Sequence, residues 1–209
     1  MASDHLGHIH GMEAPEEAKV SVQLERWLRS DRKKTIGDLV DTFGPRSFAI
    51  LFIVLMALPA LPIPTGAVSH ALEVVAMLLA LELIVGRDEV WIPKRFEQKE
   101  LKGVTAPKFT KALLKRICWF EKFSKPRMAG LLEHRLTGVA FGAAVFAFTL
   151  TAFLAPPFSG LDTLPSLGVV VLSLGVLLGD IVIAGIGGAI GVVGVTLVVG
   201  LGKAISKLF

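Results

Sequence analysis

The stretch TLPSLGVVVLSLGVLLGDIVIAGIGGAIGVVGVTLVVGLG, residues 163–202, decides the fold class. It is 40 residues long, and Asp180 is its only charged residue. As one continuous helix it would extend roughly 60 Å at about 1.5 Å per residue, twice the roughly 30 Å of bilayer hydrocarbon. It must therefore turn back, and no soluble core of this size could hide it. The reading is an all-α integral membrane protein.

Working outward, a second apolar block runs from Ser47 to Gly86, and a third stretch from Gly138 leads into the quoted one. The middle is basic. Of the 22 Lys and Arg, 13 lie between Arg87 and Arg135, against six acids there, and six more lie between Arg26 and Arg46. The positive-inside rule places both segments on the cytoplasmic side. Because these charges flank membrane segments, they point to lipid headgroups and not to nucleic acid. Hydrophobic residues make up 53% of the chain, with a mean hydropathy of +0.65, beyond a soluble domain of 209 residues. Cys118 is the only cysteine, so an intramolecular disulfide is excluded. Residues 1–18 read as a disordered polar tail without the pattern of a signal peptide. Its His5, His8 and His10 lack a fixed acid or thiol nearby, so no metal or cofactor is expected.

From Lys19 to Phe43 the spacing is helical. Leu24, Trp27 and Leu28 share one face, and Ile36, Leu39, Val40 and Phe43 share another. Thr35 and Asp38 give a capping-box-like start to the second piece. With Arg26, Arg29, Arg32, Lys33 and Lys34 alongside, these read as basic amphipathic helices at the inner leaflet. A similar basic helix in the middle carries Phe109, Leu113, Ile117 and Phe120 as its stripe, with Trp119 and Phe123 as interfacial anchors.

Each apolar block is broken by prolines, at Pro62-Ile-Pro64-Thr65-Gly66 and at Pro156-Pro157-Phe158-Ser159-Gly160. Proline removes a backbone donor and clashes with the preceding turn. Each block thus becomes a helical hairpin, either crossing the membrane twice or re-entering with its tip inside. The arm Ser47–Leu58, about 18 Å long by helical rise, favours re-entrance. A shift of 93 residues lays one hairpin on the other: Phe48 on Phe141, Leu61 on Leu154, Pro64 on Pro157 and Gly86 on Gly179. The expected organisation is a single membrane domain over 19–209, with repeat units at about 35–95 and 128–202. A C-terminal glycine-rich span carries Gly187 and Gly191 at the spacing that permits close helix packing.

An ionisable residue at membrane depth is costly and therefore a functional candidate. His70 and Glu73, three apart on one helix face, lead the set. Asp180 can serve a site or cap the last helix. Thr65 and Ser159 offer hydroxyls at the breaks, where free N–H groups at helix starts suit an anion. Arg46 and Arg87 at the cytoplasmic edge suit a phosphate headgroup, or simple anchoring. No HExxH, GxSxG, P-loop or CxxC occurs, so no catalytic residue is assigned and an enzyme is not expected.

Leu61-Pro-Ile-Pro-Thr-Gly66, His70-Ala-Leu-Glu73, Leu79-Ala-Leu-Glu82-Leu-Ile-Val-Gly86-Arg87 and Trp91-Ile-Pro93-Lys-Arg95 resemble the bacterial exopolysaccharide synthesis protein family ExoD. Gly37-Asp-Leu-Val-Asp-Thr-Phe-Gly-Pro-Arg46 and Leu174-Gly-Val-Leu-Leu-Gly-Asp180 resemble it as well, although Ile181 stands where a glycine is expected. The resemblance covers about residues 35–200. It implies a multi-pass protein of the bacterial inner membrane linked to exopolysaccharide production. Three functions are open at this point. The first is transport or presentation of a lipid-linked phosphate of the polyprenyl-phosphate type. The others are a proton-coupled carrier of a small solute and a non-transporting scaffold of a synthesis complex. Membrane lipids are the expected partners, and a homo-oligomer is compatible with the chain.

Overall fold

The computed structural model describes residues 19–30, 33–62, 66–87, 90–91, 98, 107–124, 135–156 and 159–206. The N-terminal histidines, Thr65, Pro64 and Pro157 lie outside this set, as do the side chains of Phe109 and Leu113. Among the described residues every extended element is helical. In order they are α1 (Val20–Arg29), α2 (Ile36–Phe43), a 3-10 turn (Gly44–Arg46), α3 (Ser47–Met56) and α4 (Ala67–Ile84). α5 (Pro107–Phe123), α6 (Arg135–Leu154), α7 (Thr163–Leu178) and α8 (Ile181–Ser206) follow. Among the described residues four stretches are long and apolar enough to cross a membrane: Ile36–Met56, Ala67–Ile84, Arg135–Leu154 and Ile181–Ala204. The chain is a multi-pass membrane protein.

The first of these stretches alters one expectation. The arm that is short when counted from Ser47 is prolonged by α2 through the 3-10 turn, so that together they reach 21 residues. α3 lies at the centre of the bundle. Phe48, Phe52 and Met56 are fully enclosed, and Ile50, Leu51 and Ile53 are buried with them. It packs on α4 and α7, while α4 packs along α6 and α7 along α8.

Small residues set the closest approaches. Gly142 of α6 leaves room for Leu83 and the Ala80 carbonyl of α4, and Gly168 of α7 faces the backbone of Gly191 on α8. Without a solvent-driven collapse between lipid-facing helices, such backbone approach is what makes van der Waals packing dense. Outside, α8 presents Ile186, Val192, Val193 and Leu197.

α4 and α7 end in the same way. At α4 the Gly86 N–H donates to the Leu83 carbonyl and the Arg87 N–H to the Glu82 carbonyl; at α7 the Gly179 N–H reaches Val176 and the Asp180 N–H reaches Gly175. The two glycines hold positive φ, 85° and 66°. These are Schellman caps, in which a left-handed glycine lets the chain leave while the last carbonyls stay paired.

α1 and α2 fold back on one another as their apolar faces require. Leu24, Trp27, Leu39 and Phe43 are buried together. The Trp27 indole donates to Asp38 at 2.6 Å, and the Thr35 hydroxyl accepts from the Asp38 N–H at 3.2 Å, the expected cap. Ser21 ties α1 to α5, donating through its N–H and its hydroxyl to the Glu121 carboxylate at 2.8 and 2.5 Å. Trp91, Trp119 and Phe123 are exposed, as anchors at an interface would be.

Candidate functional site

Glu73 lies on α4, just under two helical turns past its start. Its side chain is fully enclosed, whereas His70, one turn earlier, is partly open. The His70 Nδ1 sits 2.8 Å from Glu73 Oε2, so the shared face read from the spacing is realised. The imidazole also meets the Phe153 ring of α6 edge-on, with centroids 5.3 Å apart. The other carboxylate oxygen, Oε1, is buried without any hydrogen-bond partner. An isolated buried oxygen of this kind costs free energy comparable to a lost hydrogen bond, and more if charged.

What faces it follows from helix register. α4 and α6 are antiparallel, since His70 meets Phe153 at one end and Ala80 and Leu83 meet Gly142 further along. Between these contacts Glu73 stands level with Thr149, whose hydroxyl is also buried and unpartnered. From α7, Asp162 is near enough for its charge to act on Glu73. Ser166 stands one turn further on, and its hydroxyl too is enclosed without a partner. Asp162 occupies the N-cap position of α7 but makes no side-chain cap; its own backbone is already helical. Glu73 of α4 and Thr149 of α6 thus come level, with His70 bonded to the carboxylate.

The remaining candidates lie elsewhere. Asp180 is buried and acts as the helix cap, its Oδ1 accepting from the Val182 N–H at 2.9 Å and the Ile183 N–H at 3.5 Å. Ser159 builds the second break, donating to the Pro156 carbonyl at 2.6 Å and accepting from Leu161 at 3.2 Å. Arg87 lies over the Trp91 ring, 5.6 Å from its centroid, and Glu82 accepts from the Trp91 N–H at 2.8 Å. Arg135 reaches the Val85 carbonyl and lies across Gly86. Arg46 ends the 3-10 turn, next to α3. The arginines are not at Glu73: 14 residues of α4 axis put Arg87 about 21 Å away. No group of three or more metal-ligating His, Cys, Asp or Glu occurs among the described residues.

Thr149 and Ser166 were not legible as site residues. Hydroxyls in membrane helices commonly bond their own helix, as Thr151 does to Ala147 and Thr196 to Val192. The two do not, and neither do Ser47 and Ser173, whose hydroxyls are also buried without a partner; register with Glu73 is what distinguishes Thr149.

The sequence matches the family described as Exopolysaccharide synthesis, ExoD, over residues 20–200. The chain belongs to the ExoD family. Every residue of the cluster around Glu73 falls inside the matched ExoD region, while the histidines of the N-terminal tail fall outside it. Among curated ExoD-like sequences, the uncharacterized protein slr1875 of Synechocystis sp. is 28% identical over 173 residues, covering 81% of each chain. No solved structure matches this ExoD chain.

Proposed function

We propose that this ExoD-family protein supports exopolysaccharide synthesis from the bacterial inner membrane by transporting or presenting a lipid-linked phosphate of the polyprenyl-phosphate type. The observation that carries the reading is Glu73: an enclosed carboxylate, half-paired, within a membrane-crossing helix and beside a proline break. A purely structural carboxylate would be expected to have both oxygens satisfied. The phosphate is collected at the opposite end, where Arg46, Arg87 and Arg135 offer exposed guanidinium forks suited to it. The lipid tail stays in the bilayer. Glu73 and His70 act as the coupling group that opens the path.

Two further observations support a two-hairpin carrier. The Schellman caps at Gly86 and Gly179 are 93 residues apart and identical in their bonding. The packing of α3 on α7 and α4 on α6 is the exchange expected if the hairpins are related by a two-fold axis along the membrane normal. Such repeats, re-entrant or fully spanning, frame sites at the midplane. A second reading, a proton-coupled carrier of a small solute, is favoured by the half-paired Glu73 carboxylate beside His70, which repels an anion at that level.

Complementation of a polysaccharide-deficient strain tests the proposal. Glu73→Gln and Arg87→Ala should each abolish complementation while membrane insertion persists. Loss with Glu73→Gln alone selects the small-solute reading. Full complementation by both at native expression leaves the scaffold reading in place of transport.

A further inference from the structure

The group around Glu73 has the composition of a cation site. Oε1 of Glu73, Oγ1 of Thr149 and Oγ of Ser166 are three hard oxygen atoms from three helices, all enclosed, none hydrogen-bonded. Register sets Thr149 across the α4–α6 interface from Glu73, and Phe148 beside it meets Gly191 of α8, which also faces Gly168, two residues past Ser166. Oxygens need not bond one another to share an ion. Oxygens sharing one ion of calcium-like size sit about 2.3–2.6 Å from it, and so up to about 5 Å from each other, beyond direct hydrogen-bond reach.

We propose that Glu73, Thr149 and Ser166 bind a small monovalent cation, sodium, which neutralises the half-paired carboxylate. The charge balance selects the class. A divalent ion of this size takes six to eight oxygens and several carboxylates, whereas one carboxylate with hydroxyls matches a single positive charge. A phosphate is repelled by the Glu73 carboxylate. Softer metals prefer imidazole and thiolate, and the one imidazole here is already committed to Oε2.

The 93-residue shift adds an independent argument. It carries Glu73 onto Ser166, so the charged and the neutral member of the set occupy corresponding positions on α4 and α7. Equivalent positions around a two-fold axis face it together, which is where a single ion would be held.

The inference rests on the reading of Glu73 as the coupling group, and a binding measurement separates the two. Purified full-length protein in lipid nanodiscs is unfolded thermally in sodium chloride, against choline chloride and potassium chloride at equal ionic strength. Sodium should raise the midpoint in a saturable manner, with the increment growing as the logarithm of concentration above Kd. Glu73→Gln should remove the effect, Thr149→Val and Ser166→Ala should each weaken sodium affinity at least tenfold, and Thr149→Ser should restore it. If Glu73→Gln does not fold, the two hydroxyl variants, which keep the carboxylate, decide the matter. Indifference of the wild type to sodium overturns the proposal, as does a sodium effect that the variants retain. Sodium binding lost in Glu73→Gln while that variant still complements supports the site and refutes the transport role. A wild type without sodium dependence whose Glu73→Gln variant fails to complement refutes the site and keeps the role.

Discussion

Replacing Gly187 by alanine tests the α7–α8 packing that fixes Ser166 in place. A Cβ at Gly187 would point into the backbone of Val171 and Leu172, well inside contact distance, and backbone cannot rotate away as a side-chain tip can. Gly188, its neighbour, has open space where its Cβ would go. Alanine in place of a helix-interior glycine gains about 1 kcal/mol in propensity at either position. At Gly188 that gain stands. At Gly187 it is opposed by forced separation of two helices, and overpacking of this type costs about 1–3 kcal/mol or more. The two variants should thus differ by about 1–3 kcal/mol, or roughly 5- to 150-fold in the unfolding equilibrium. Equilibrium unfolding of the two proteins in mixed micelles, followed by Trp fluorescence and helicity, measures this. Equal stability of Gly187→Ala and Gly188→Ala would refute the close approach of α8 to α7.

Asp180→Ala removes the cap on α8 and should destabilise the protein by about 1 kcal/mol, whereas Asp180→Asn, an equally good cap, should be close to neutral for stability; paired unfolding curves check this. If Asp180→Asn instead abolishes complementation at unchanged stability, the residue has a role beyond capping. Glu121→Ala removes both acceptors of Ser21 and should cost about 1.5–3 kcal/mol per charged hydrogen bond at most. Its visible effect is release of α1 from α5, detected as faster amide exchange over Val20–Arg29 with little change in α7 or α8.

The parts of the fold legible in the sequence were those governed by a single local rule. Thr35 and Asp38 form the cap that their spacing announces, because the hydroxyl of one has only the N–H of the other to meet. Gly86 and Gly179 end their helices because a left-handed residue after an apolar run is most simply glycine. His70 and Glu73 meet because three residues make one helical turn. What was hidden depends on neighbours distant in the chain. The length of the first stretch rests on α2 continuing through Gly44-Pro45-Arg46, which reads as a break. The separation of the arginines from Glu73 follows from the direction of α4. Thr149 looks like any small hydroxyl in a membrane helix until the antiparallel register of α4 and α6 sets it level with Glu73.

On the proposed 93-residue repeat, the difference between the two hairpins connects the fold to the proposed mechanism. If corresponding positions both carried glutamate, two carboxylates would face one another in a dry interior, and either a proton or a divalent ion would be required to hold them together. The second hairpin has Ser166 there instead. It keeps an oxygen ligand and drops the charge. The first hairpin, in turn, has Met56 where the second has Thr149, so the hydroxyl ligand also comes from one side only. Met56 and Thr149 are both fully enclosed, so the two places are equally dry. In the proposed site, one charge and two hydroxyls divided between the hairpins would require both to be in contact. Movement of one hairpin against the other would separate Glu73 and Thr149, across the α4–α6 interface, and leave the carboxylate half-paired again. Under the proposal, an ion that neutralises Glu73 would favour the closed pairing of the hairpins and its loss would favour opening, which is the coupling a carrier needs.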